Sequence, residues 1–280
     1  MTRESAALAA LAMASALFAA VLGLWLVQHG TTPGGLINSD GSTTGPGPVA
    51  SATPAARTRA TDVCTTSFDF TGESEHVFDA SYTEQREVLG LTIVAGPEVS
   101  SAALAVAEAT LLRVFANNDH EQTLAEQGAY IIVAEPDQGV LDLPEFACLE
   151  EELGTNFFTH VCGIADRADY PVVTVNALDL VGDRRGPCDG VNILYHELGH
   201  LVQNFAADPP DELESRWIYS DALAAGLYEG QYAATNYREY FAEGTQAYFD
   251  AQDRQGEFNR SWLEDYDPAL FALLTRVYGD

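Results

Sequence analysis

The chain has 280 residues, with 13 basic against 42 acidic side chains, a net charge of −29, and arginine as its only strong base. A negative field of that size argues against nucleic acid and anionic membrane surfaces as partners and favours cationic ones. Hydrophobic residues make up 47% of the chain, enough for a folded core once the N-terminal segment is set aside.

Ala6 to Val27 carries no charge and, as a helix, spans roughly 33 Å, enough to cross a bilayer. Arg3 precedes it and no Lys or Arg follows until Arg57, which favours a body outside the cytoplasm. An uncleaved anchor is the preferred reading and a cleaved signal peptide its rival, because a cut at Ala14-Ser15-Ala16 falls inside the apolar run. The protein is thus expected to be membrane-anchored by residues 6–27 or secreted. From Gln28 to about Ala60, Gly, Pro, Ser and Thr dominate, as in a flexible stalk. The division expected is residues 1–27 as signal anchor or signal peptide, 28–60 as stalk and 61–280 as one enzyme domain.

Within that domain, Thr66 to Phe70, Gly90 to Val94, Tyr130 to Val133 and Val172 to Val175 have strand character. Ala102 to Phe115 has helical spacing through Leu104, Leu111, Leu112 and Phe115. Strands dominate before residue 190 and helices after it, so the fold class is α+β, a small sheet plus a helical lobe with a cleft between. The cysteines are Cys64, Cys148, Cys162 and Cys188, with no C-x-x-C pair. In an exported chain they suggest two disulfides in one of three connectivities, with Cys148 to Cys162 and Cys64 to Cys188 preferred and free buried cysteines as the rival reading. Glu145, His120 and His160 could approach the cleft, although such residues are more often surface.

His196-Glu197-Leu198-Gly199-His200 is an HExxH motif. Histidines at i and i+4 lie one turn apart on one helix face, so both imidazoles reach a single ion. The glutamate between them faces a water at that ion and suits a general base. Leu194, Leu198, Leu201, Val202 and Phe205 form an apolar stripe on another face, which anchors the helix in a core. Asp189 is a candidate cap near the helix start. Gly199 costs roughly 1 kcal/mol of helix propensity relative to Ala, a cost that close approach of another segment would explain.

The motif provides two ligands, so a third lies downstream. Gln203 and Ala206 occupy the positions where a metzincin carries Gly and His, which excludes that class. Tyr219, Ser220 and Asp221 occupy the thermolysin-like position, leaving Asp221 as an alternative ligand. The better candidate is the segment from Asn236 to Asp250. Glu239, Glu243, Gln246 and Asp250 fall on one polar helix face, beside a packing face of Tyr240, Phe241, Gly244, Ala247 and Tyr248. One carboxylate can ligate the ion and another, a turn away, can accept the far N–H of a ligating histidine. A tyrosine hydroxyl can donate to a developing oxyanion, and Tyr228, Tyr232, Tyr237 and Tyr240 are all near.

HELGH, followed by Tyr232 seven residues before Glu239 and then by Glu239-Tyr-Phe-Ala-Glu243, resembles the catalytic domain of the anthrax-lethal-factor-like zinc peptidases. These are zincins whose third ligand is a glutamate. The resemblance covers about Val191 to Phe249 and reaches more loosely back to about Ser100. It implies a zincin-like fold with the active-site helix lining the cleft. It also implies His196, His200 and Glu239 as ligands of one Zn2+ per chain, Glu197 as general base, Tyr232 as the oxyanion-stabilising phenol and Glu243 as the carboxylate behind a ligand. Thirty-eight residues separate His200 from Glu239, fewer than in the toxin, and nothing here matches the toxin's receptor-binding or substrate-docking domains.

The expected function is an extracytoplasmic zinc-dependent endopeptidase, hydrolysing peptide bonds of polypeptides, cationic ones in particular, through a zinc-activated water. The alternatives are a module that retains zinc without turnover, which leaves Glu197 unexplained, and a metal-dependent hydrolase of non-peptide amides.

Overall fold

Short runs of β-branched and aromatic residues between turns build the sheet, and their order in space is not their order in the chain. The computed structural model describes residues 57–59, 75–150, 161–165, 170–252 and 256–280. Two short strands, β1 (Arg57–Arg59) and β2 (Glu75–Val77), pair in parallel.

The main sheet contains β3 (Glu84–Val88), β4 (Leu91–Ala95), β5 (Tyr130–Ala134), β6 (Gly163–Ile164) and β7 (Val172–Asn176). Its order is β3-β4-β5-β7-β6, parallel at the centre and antiparallel at both edges. β5 and β7 are buried along their whole length, as strands covered on both faces must be. The hairpin joining β3 to β4 turns through Leu89 (φ 55°) and Gly90 (φ 80°), the left-handed pair that a tight two-residue connection requires. The expected strands at 90–94, 130–133 and 172–175 coincide with β4, β5 and β7 to within a residue. The one at 66–70 lies outside the described residues.

Among the described residues eight helices accompany the sheet: α1 (Ser101–Val114), α2 (His120–Glu126), α3 (Ala177–Leu180), α4 (Leu194–Phe205), α5 (Pro209–Ala224), α6 (Tyr237–Tyr248), α7 (Arg260–Tyr266) and α8 (Pro268–Tyr278). The architecture is therefore α+β, with most of the helical mass after residue 190. Alternation along the strands separates two cores. Ile131, Val133, Val173 and Val175 face the helices, where they join Leu104, Leu111, Leu198, Leu201, Phe241 and Leu274. Tyr130, Ile132 and Val172 point to the other side, toward Tyr82, Leu143, Phe146 and Tyr170. Leu198 is fully buried, so its truncation to Ala costs about 2–5 kcal/mol. Among the described residues no helix is long and apolar enough to cross a membrane, and residues 6–27 lie outside them.

Three expectations need correction. Cys162 is bonded to Cys188, which overturns both pairings drawn from the sequence. Cys148 is also disulfide-bonded, and Cys64 lies outside the described residues. The reason is topological: β6 folds back beside β7 and brings Cys162 to the loop that precedes α4. Glu145 is neither near the histidine pair nor on the surface. It is buried beneath the second core, where it accepts hydrogen bonds from Tyr82 Oη at 2.5 Å and Tyr130 Oη at 3.2 Å. His120 starts α2, and its Nε2 lies 2.9 Å from the Val277 carbonyl, tying α2 to α8. His160 lies outside the described residues.

Candidate metal centre

α4 carries the HELGH residues because its apolar stripe has a core to enter. Leu194, Leu198, Leu201 and Val202 are all fully buried. At its start the Asn192 side chain accepts from the Leu194 amide at 3.1 Å. Asp189 is not the cap: it has φ 56° and pairs with Arg184 on the surface.

α6 lies against α4. Asn236 caps it, accepting from the Arg238 and Glu239 amides at 2.9 and 3.1 Å, which fixes Glu239 in the first turn, where a carboxylate complements the helix dipole. Tyr240, Phe241, Ala247 and Tyr248 bury the packing face as expected. The close approach expected at Gly199 is present. A Cβ there would stand 3.0 Å from both Ala242 Cα and Thr245 Oγ1. The expected polar face divides. Glu239 is buried and Glu243 half-buried, both turned to α4, whereas Asp250 is exposed. Gln246 is buried and accepts from the Gln252 side chain.

These contacts bring His196 Nε2, His200 Nε2 and Glu239 Oε2 to one point. The two imidazole nitrogens are 3.1 Å apart, and Glu239 Oε2 lies 3.2 Å from the first and 3.3 Å from the second. All three side chains are buried, and together they form a group that could hold a metal ion. The residues pass a direct test of fit. Glu239 Oε2 is enclosed without a hydrogen bond of acceptable geometry, although two ring nitrogens surround it. His196 Nδ1 lies 3.2 Å from Glu243 Oε1. A proton on Nδ1 shared with that carboxylate leaves the Nε2 lone pair aimed at the centre. Two imidazoles and a carboxylate are a donor set that suits a divalent metal ion and leaves coordination positions open on it.

The electrostatics are those of a site that exchanges protons for a cation. Burial disfavours a charged His196, yet the Glu239 and Glu243 carboxylates raise its pKa well above the ordinary value. Burial likewise opposes charge on Glu239, but His200 and His196 hold its carboxyl well below the usual carboxylate range. A cation entering here displaces a proton, so binding is coupled to pH.

Glu197 is buried beside these three residues without joining their group. Burial pushes its carboxyl up to about 8, with His196 opposing and the Glu239 charge adding. Edge strand β6 runs directly over it. A Cβ on Gly163 would stand 2.9 Å from Glu197 Oε1 and 2.4 Å from the Thr174 carbonyl.

Four tyrosines near the ligand helix were open alternatives, and they now separate. Tyr228 packs on Tyr240 and Tyr266, Tyr237 bonds Arg216, and Tyr240 donates to Asp267 at 2.6 Å. Tyr232 stacks on His196 with ring centroids 6.1 Å apart and planes at 29°. It sits in a 3-10 turn, Tyr232–Ala234, whose last carbonyl accepts from Tyr219 Oη at 2.8 Å. Asp221, the alternative ligand, is exposed on α5 and is not part of the group. Sequence reasoning missed Asn236, although Asn-x-x-Glu before an apolar run is a capping signal. It also missed Gly163 and Tyr219, whose roles have no local signature. Comparison with family models, curated proteins and solved structures finds no match to this chain.

Proposed function

We propose that this protein is a zinc-dependent endopeptidase of the zincin type, similar in its catalytic domain to the lethal-factor-like peptidases. The observation that carries the reading is a buried His196-His200-Glu239 group with a second carboxylate, Glu197, enclosed beside it and outside the ligand set. Holding an ion needs only ligands, so an added buried acid is better explained by turnover. Zn2+ is the ion that this donor set suits, and when bound it supplies Lewis acidity to water and to a scissile carbonyl.

The chain's own residues supply the rest. Glu197 takes the proton of the attacking water on its carboxylate and passes it to the leaving amine. Glu243 holds His196 in orientation through Nδ1. The Tyr232 hydroxyl donates to the developing oxyanion. Among the described residues β6 is the last strand of the sheet, beside Glu197, and an extended polypeptide could add to the sheet there. The charge of −29 favours cationic polypeptides, and the apolar segment at residues 6–27 supports an extracytoplasmic protein, anchored or secreted.

The test is metal content together with a peptide-library digest, with and without chelator. Glu197→Gln is expected to keep about one zinc per chain and lose roughly 10²–10⁴-fold in rate. Equal cleavage by Glu197→Gln and the parent refutes the mechanism. A zinc-loaded parent that cleaves nothing makes the site a binding module.

A further inference from the structure

Beyond the ligands, several features converge on β6. The strand is only two residues long, paired to β7 through Gly163 with Val175 and Ile164 with Thr174. Ladder contacts that few are a weak restraint on an edge. Yet Gly163 lies against both Glu197 and Ile193, so where β6 sits decides where the Glu197 carboxylate sits. On the other side, Val161 and Cys162 line a cavity of about 230 Å³ together with Asn176, Arg185 and Pro187. That is space into which a loosened strand can retreat. One restraint that opposes such a movement is covalent. Cys162, the residue before Gly163, is bonded to Cys188. Cys188 is itself fixed, because the buried Asp179 carboxylate accepts from its amide at 3.1 Å and from the Gly190 amide at 2.9 Å. A chain of rigid contacts thus runs from Asp179 through Cys188, Cys162 and Gly163 to Glu197.

We propose that the Cys162–Cys188 bridge is a positioning element for the proposed hydrolysis. Acting through Gly163, it holds Glu197 and the substrate-pairing edge in register, and it does not hold the metal. The inference rests on the peptidase reading above, but part of its test does not. The variants are Cys162→Ala with Cys188→Ala, and separately Gly163→Ala in the bridged chain, where the new Cβ must push β6 off the Thr174 carbonyl. Three quantities are read: metal content, amide exchange at Gly163 and Ile164, and kcat and KM on a peptide the parent cleaves. Metal content is expected to stay at the parental ratio while exchange at Gly163 and Ile164 accelerates. kcat/KM is expected to fall by roughly 100-fold, the cost of an ångström-scale misplacement, divided between a lower kcat from Glu197 and a higher KM from the edge. A bridge that serves only overall stability would lower Tm and leave kcat and KM within about twofold of the parent, which overturns the proposal. If the doubly substituted chain does not fold, Gly163→Ala decides by the same readouts. If the parent cleaves nothing, the peptidase reading fails by itself. Unchanged exchange at Gly163 and Ile164 then still overturns the positioning role, and accelerated exchange with metal retained supports it.

Discussion

Gly199→Ala sets two effects of opposite sign against each other. In an isolated helix the substitution stabilises by about 1 kcal/mol, because Ala is the better helix former. Here the new Cβ would stand 3.0 Å from Ala242 Cα and Thr245 Oγ1 and 3.1 Å from Thr245 Cβ. Comfortable carbon–carbon contact lies at about 3.5–4.0 Å, so α6 must give by some tenths of an ångström. Thr245 cannot rotate aside freely, since its hydroxyl donates to the Phe241 carbonyl at 2.9 Å and contacts Tyr278 Oη at 3.1 Å. Overpacking of this kind costs about 1–3 kcal/mol, so the net change is a loss of about 0–2 kcal/mol. For a domain of this size that is a fall in Tm of up to about 8 °C. The greater effect is on the centre. Displacing α6 moves Glu239 away from His196 and His200, and metal–ligand distances tolerate only about 0.2 Å. Thermal melts of the metal-free protein and chelator-competition titration of the metal measure both effects. A Gly199→Ala variant that melts above the parent and binds metal equally well refutes the reasoning that close α4–α6 contact sets the ligand geometry.

Glu145 gives a prediction for pH. Burial is the largest cause raising its pKa above 4.5, partly opposed by the Tyr82 and Tyr130 hydroxyls. The folded state therefore binds this proton more tightly than the unfolded chain. Its contribution to stability is full below about 4.5 and is lost as pH rises through the higher folded value. The stability of Glu145→Gln relative to the parent should accordingly improve as pH rises from 4 toward neutrality, by chemical denaturation at each pH, and a flat difference would contradict this. Tyr219→Phe removes the bond to the Ala234 carbonyl and should cost about 0.5–1.5 kcal/mol while loosening the turn that carries Tyr232. Amide exchange at Thr235, bonded to the Tyr232 carbonyl, reports it, and an unchanged rate would show that the turn is held otherwise.

What is local was legible in the order of the side chains. The α4 stripe of Leu194, Leu198, Leu201 and Val202 marked a buried helix, and the same period set His196 and His200 on one face toward a third ligand. The Glu239-to-Tyr248 pattern marked a second helix, because a 3.6-residue repeat is written in consecutive side chains. The β4, β5 and β7 runs were legible for a similar reason, as continuous apolar stretches. What depends on segments far apart in the chain came from the fold. It carried Cys162 to Cys188 rather than to Cys148, because a short edge strand paired antiparallel to β7. It enclosed Gln246, which accepts from the Gln252 side chain, on a face that read as polar. It buried Glu145 among tyrosines on the far side of the sheet and placed Gly163 against Glu197. None of these has a periodic signature, since each arises from long-range packing, and no single segment encodes it.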